Sequence, residues 1–235
     1  MSKHFKKIKM NVTKKLLTLG LALGSMFTAN AQELGSTLIR GGVNYNHLFG
    51  TYGDADNDGS YITGSMVGFN AGVTQEIVLS SDIMLETGLL YTSKGKKDDS
   101  KGEGYEYSDE TNLSYIELPI DFKYKVTGSL PLILTAGPYV AYGVDGKSKE
   151  TATVTALGVN SSVEKDIEWG SSEGEYNQWD YGFNFGIGVD LNPIELTLRY
   201  GLGLSDLENN SEDEDGLTKK YYNRGVSLNI AYKLN

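Results

Sequence analysis

Two groups of charged residues are spaced in ways that could do chemistry. The first is DADNDG at 54–59, where Asp54, Asp56 and Asp58 alternate before Gly59. Three carboxylates on such a turn can converge on Ca²⁺, as at the start of an EF-hand loop. The bidentate acid that would complete that loop at its twelfth position is Ser65 here, so a plain solvated acidic loop is the competing reading. SEDEDG at 211–216 lacks the alternate spacing and reads as a repelling, solvated tip. The second group is Arg40, Glu86, Glu117, Asp121, Lys123, Glu195 and Arg199, seven charges of both signs scattered over the chain. They can neutralise one another only if the elements carrying them close around a common interior, where Arg40 and Arg199 would offset Glu117, Asp121 and Glu195. Catalytic chemistry is poorly served. His47 is followed by Leu48 and Phe49 rather than by an H-x-S pattern, there is no nucleophile elbow or metal-ligand pair of histidines, and the chain has no cysteine. No enzyme activity is expected, and no cofactor other than Ca²⁺ at Asp54, Asp56 and Asp58.

The elements that must position these charges are strands. In SYIELPIDFKYKV, 114–126, Ile116, Leu118, Ile120, Phe122, Tyr124 and Val126 share one face, and Glu117, Asp121 and Lys123 lie on the other. A period of two over that length means a β-strand with one apolar side. DYGFNFGIGVD (180–190), IELTLRYGLGLS (194–205) and NRGVSLNIAYKLN (223–235) repeat the rule. Noisier alternation places further strands at 36–48, 63–77, 83–93 and 131–143. The count is eight and even. Connectors alternate between long (49–62, 94–111, 144–178, 206–222) and short (78–82, 127–130, 191–193), the pattern of an up-and-down outer-membrane barrel.

Two features decide which way the faces point. The polar faces are rich in glycine (182, 186, 188, 201, 203, 225), which suits a crowded barrel interior better than an exposed soluble sheet. Tyr45, Tyr91, Tyr124, Tyr142, Tyr181, Tyr200 and Tyr232 lie at or near the ends of the apolar faces, where an aromatic girdle belongs. The expected fold is therefore an all-β, eight-stranded antiparallel transmembrane barrel over 32–235. A secreted soluble sandwich or lipocalin-like barrel is the alternative.

Residues 1–31 read as a secretory signal. They comprise a lysine-rich start, the apolar run LLTLGLALGSMF at 16–27 and a small-x-small site before Gln32. The run is shorter than the about 20 residues a membrane helix needs. The signal holds six of the 21 basic residues and none of the 31 acids, so its removal leaves 15 basic against 31 acidic residues, a net charge of −16. Such a surface repels phosphate backbones, and no nucleic-acid partner is expected.

The segments SYIELPIDFKYKV, LILTAGPYVAYG (132–143), DYGFNFGIGVDL (180–191), IELTLRYGLGLSDL (194–207) and YYNRGVSLNIAYKL (221–234) resemble the PorT-like outer-membrane β-barrel family of Bacteroidetes. The more specific parts are the E-L-P, A-G-P-Y and R-Y-x-x-G-L strands. The resemblance implies an eight-stranded barrel in the outer membrane of a Gram-negative bacterium, with a founding branch linked to protein secretion and gliding. The chain departs from the usual terminal aromatic, ending Lys233, Leu234, Asn235. The expected function is a non-enzymatic structural or interaction barrel, monomeric, surrounded by outer-membrane lipid, whose long acidic loops meet a protein partner of unknown identity. A small transport pore is the alternative, and a lipid A-modifying enzyme ranks behind both.

Overall fold

The computed structural model describes residues 34–53, 58–126, 128, 130–154, 159–172, 174–209 and 218–234. The signal segment, Asp54, Asp56 and the SEDEDG run lie outside the described residues. Among the described residues ten strands form one sheet: β1 (Leu34–Gly53), β2 (Asp58–Ile62), β3 (Met66–Val78), β4 (Ile83–Gly102), β5 (Tyr105–Lys125), β6 (Leu132–Val154), β7 (Val159–Asp166), β8 (Trp179–Asp190), β9 (Ile194–Gly203) and β10 (Thr218–Leu234). Eight of them make a ring, each antiparallel to its neighbours, and β10 returns to β1 from Thr37↔Leu234 to Gly53↔Thr218. That closure removes every ring edge, which is what a sheet in lipid requires.

The alternation seen in the sequence is realised inside out. Lys123 on β5 is 0% exposed, whereas Val67 on β3 is 72% exposed. Val43, Phe69, Phe122, Phe185, Ile187, Leu198, Leu228 and Ile230 likewise face outward, and Arg40, Glu117, Asp121, Asn184, Glu195 and Arg199 are buried. A soluble barrel would reverse these faces. The interior is also crowded: a methyl group at Gly225 would run into Asn46, and one at Gly186 into Thr135.

The strands run further than the apolar alternation does. β1 continues to Gly53, β4 to Gly102, β6 to Val154, and β5 begins at Tyr105 and β10 at Thr218. The long connectors expected at 49–62, 94–111, 144–178 and 206–222 are therefore partly strand. The reason is physical. Beyond the lipid both faces of a strand meet water, so the period-two signal disappears and cross-strand pairs take over. Lys101 pairs with Glu106 at 3.0 Å and Lys97 with Glu110 at 3.8 Å. The outcome is a four-stranded extension in which Lys97, Glu110, Lys149 and Glu164 lie side by side in one row across β4, β5, β6 and β7. Gly95, where β4 leaves the ring, has φ +148°, and a Cβ there would strike the carbonyl of Thr111. Only glycine fits that bend.

Candidate functional site

From the short-turn end upward, the lumen is built in layers. At that end Lys233 Nζ meets Asp190 Oδ2 at 2.5 Å, with Lys125 Nζ 3.8 Å from the same oxygen. Next comes the densest cluster. Lys123 Nζ lies 2.7 Å from Glu76, 2.5 Å from Glu86 and 2.8 Å from Glu195. Arg40 donates to Glu86 at 2.6 Å and to Glu195 at 3.1 Å, and Arg199 meets Asp121 at 2.5 Å. The carboxylate oxygens of Glu76, Glu86 and Glu195 lie within 4.8 Å of one another, a spacing that would suit a metal ion. The ammonium of Lys123 already sits among all three, so the chain supplies its own cation.

Above this cluster is a chamber of about 60 Å³, lined by Asn44, Asn70, Asn184, Asn229 and the guanidinium-bearing Arg40 and Arg199. It is polar and large enough to hold water. Its roof is a second charged layer. Lys94 Nζ bridges Glu117 at 2.9 Å and Asp180 at 3.1 Å and lies 4.2 Å from the centre of the Tyr139 ring. Asp180 also accepts from Ser205 Oγ at 2.7 Å, Asn223 Nδ2 at 3.0 Å and Tyr139 Oη at 3.3 Å.

Over that roof lies an apolar cap of Leu48, Leu113, Tyr115, Tyr139, Ala141 and Leu207. Ile167, Trp169, Tyr176 and Tyr221 pack against it. The strap from Ile167 to Gln178 is stitched across the mouth by backbone bonds, Ile167 N to Gly146 O at 2.9 Å, Asn177 N to Leu207 O at 2.8 Å and Gly143 N to Gln178 O at 2.7 Å. Burial within the strap pushes the Tyr176 phenol above its ordinary range. On the exposed extension the hydrogen bond from Lys147 holds the Glu164 carboxyl below its ordinary range, and a pair so exposed contributes little to stability.

Arg40, Glu86, Glu117, Asp121, Lys123, Glu195 and Arg199 all lie in this lumen, but in two layers rather than one. Arg199 joins Asp121, Arg40 joins Glu86 and Glu195, and Glu117 is held by Lys94. Sequence reasoning missed Glu76, Lys94 and Asp180 as members. Glu76 stands on the inward side of β3 beside Thr74, and Asp180 heads the polar face of β8, so alternation contained the signal for both. Lys94 falls just past the end of the apolar alternation on β4, where that signal fades. His47 lies on the outer face of β1, across from Arg224 and away from the lumen carboxylates. Asp58 opens β2 opposite Gly53.

A closed ring of eight strands, apolar outside and charged within, defines an outer-membrane β-barrel. The chain belongs to the outer membrane protein beta-barrel domain family, whose model matches residues 30–209. No curated protein matches it significantly in sequence. Among solved structures it is similar to CarO2 of Acinetobacter baumannii, with 14% identity over 84% of this chain and 99% of that one and a TM-score of 0.41. It is also similar to Ail, the attachment invasion locus protein of Yersinia pestis, at 12% identity over 85% and 99% with a TM-score of 0.35. Neisserial surface protein A matches at 13% identity over 86% and 100% with a TM-score of 0.32. Scores this low leave the fold resting on the ring of strand pairings and on the family.

Proposed function

We propose that this chain is a non-enzymatic, non-conducting barrel that anchors a surface platform in the outer membrane. The observation that carries the reading is the doubly closed lumen, with the Lys123 cluster below the chamber and the apolar cap above it. A solute would have to part both. The part of the molecule free to meet others is the four-stranded extension of β4 to β7, whose edge strand β7 is exposed along its whole length. The motifs in 114–126, 132–143 and 194–207 support a place among the PorT-like barrels of Bacteroidetes, and the composition of residues 1–31 supports an export signal removed before Gln32. Asp54, Asp56 and Asp58 are retained as a calcium proposal for the first long connector.

Two measurements test the reading. In planar bilayers the purified barrel should give no single-channel steps, and discrete, stable conductance would replace the platform by a pore. The orientation follows from strand count, because eight strands bring both termini to the short-turn side, which would face the periplasm. Protease added to intact cells should then cut within 144–178 and spare Gly128. Labelling of a cysteine placed at 128 from outside would invert the assignment.

A further inference from the structure

We infer that the outer wall of β1 and β10 carries a site for the phosphoryl group of a membrane lipid, formed by Arg224 with Lys220 on the same face. The inference rests on the membrane reading above but not on the orientation, since either leaflet supplies such groups.

The first observation is an imbalance of partners. Arg40, Lys94, Lys123, Arg199 and Lys233, the cations inside the ring, each contact at least one carboxylate. Arg224 points the other way. On β10 it shares a face with Val226, Leu228, Ile230 and Tyr232, all of them exposed. Among the described residues no carboxylate lies within ion-pair distance of it, and its Nε is buried with no hydrogen-bond partner. Its neighbours across the two ladders are His47 and Leu202, which offer no anion. A charge on a wall that faces lipid needs an anion, and the described residues do not supply one.

The second observation is depth. From Leu234 to Arg224 is ten residue steps at about 3.3 Å each, and a strand tilt near 40° projects that to about 25 Å, the height of the apolar band of such barrels. Arg224 therefore sits where hydrocarbon gives way to head groups. The girdle surrounds it there: its guanidinium carbon lies 3.7 Å from the centre of the Phe49 ring, with Tyr45 and Tyr222 on the same outer face. Stacking fixes the plane of the guanidinium, and the planar fork matches a phosphoryl group's oxygens. Lys220 continues the same face four residues further out, and it is exposed.

The test uses the whole barrel in non-ionic micelles doped with phosphatidic acid or, as the headless control, diacylglycerol. Lipid retained on the protein is read by native mass spectrometry, and the fold is read by the shift in mobility between unboiled and boiled samples. The wild type should retain phosphatidic acid over diacylglycerol, and millimolar inorganic phosphate should not displace it. Arg224→Leu, which suits a lipid-facing position, should retain about fivefold less, the ratio expected for one cation at an anionic lipid surface. Arg224→Lys, which keeps the charge but not the stacked planar fork, should retain an amount between the wild type and Arg224→Leu. Equal retention by Arg224→Leu and wild type, equal retention of the two lipids, or displacement by inorganic phosphate would each overturn the site. A wild type without heat-modifiable mobility would overturn the barrel reading itself. If Arg224→Leu alone loses that mobility, Arg224→Gln takes its place and must meet the same criterion.

Discussion

Replacing Lys123 with methionine should destabilise the barrel by about 3–5 kcal/mol, the usual cost of leaving buried charges without their partner. The midpoint of the heat-induced mobility shift should fall accordingly. Glu76, Glu86 and Glu195 converge on one ammonium that is wholly buried, and Arg40 alone cannot neutralise three carboxylates. Methionine keeps the apolar stem as far as Cε and removes the ammonium, with its charge and its hydrogen bonds to Glu76 and Glu195. Lys125→Met is the matched control, because that lysine is 42% exposed and lies 3.8 Å from Asp190, where a pair is worth less than about 1 kcal/mol. Equal drops for the two variants would mean that the Lys123 cluster is bathed in water, and the closed lumen would then have no basis.

The second large effect is expected at Asp180, the acceptor for Lys94, Tyr139, Ser205 and Asn223. Asp180→Ala removes all four contacts and leaves Lys94 shared with Glu117 alone, a loss of about 3–5 kcal/mol by the same reasoning. Asp180→Asn keeps an acceptor oxygen and should cost less. Ser205→Ala removes one donor to Asp180 and the acceptor of the Tyr181 N–H, and should cost about 1–2 kcal/mol. Unfolding midpoints that do not follow the order Ser205→Ala, Asp180→Asn, Asp180→Ala from smallest to largest drop would remove Asp180 from the centre of the upper layer.

The barrel itself was legible because lipid imposes one rule on every spanning strand, and that rule leaves a period of two in the sequence. SYIELPIDFKYKV shows it without help: Phe122 is turned outward, and Asp121 and Lys123 are buried on either side of it. Where the rule lapses, the period-two signal lapses with it. KGKKDDSKG and YEYSDETN lack a sustained apolar face, yet they form the paired strands at the end of the β4–β5 hairpin, because the backbone pairs across the turn, Lys97 and Lys101 face Glu110 and Glu106, and Lys96 bridges the opposed Asp98 and Asp109.

Which charges meet was decided only by tertiary structure. Arg40 and Glu195 are 155 residues apart in the chain and 3.1 Å apart in the lumen. Their meeting depends on the stagger between β10 and β1, a quantity set by the packing of all eight strands together. Alternation says that a side chain points inward; it does not say at what height. So sequence alone established seven of the inward charges and the eight strands of the ring, whereas Glu76, Lys94 and Asp180, and the separation into a Lys123 layer, a polar chamber, a Lys94 layer and an apolar cap, had to wait for the closed ring. Burial is a property of each strand's pattern, but pairing is a property of the stagger between strands.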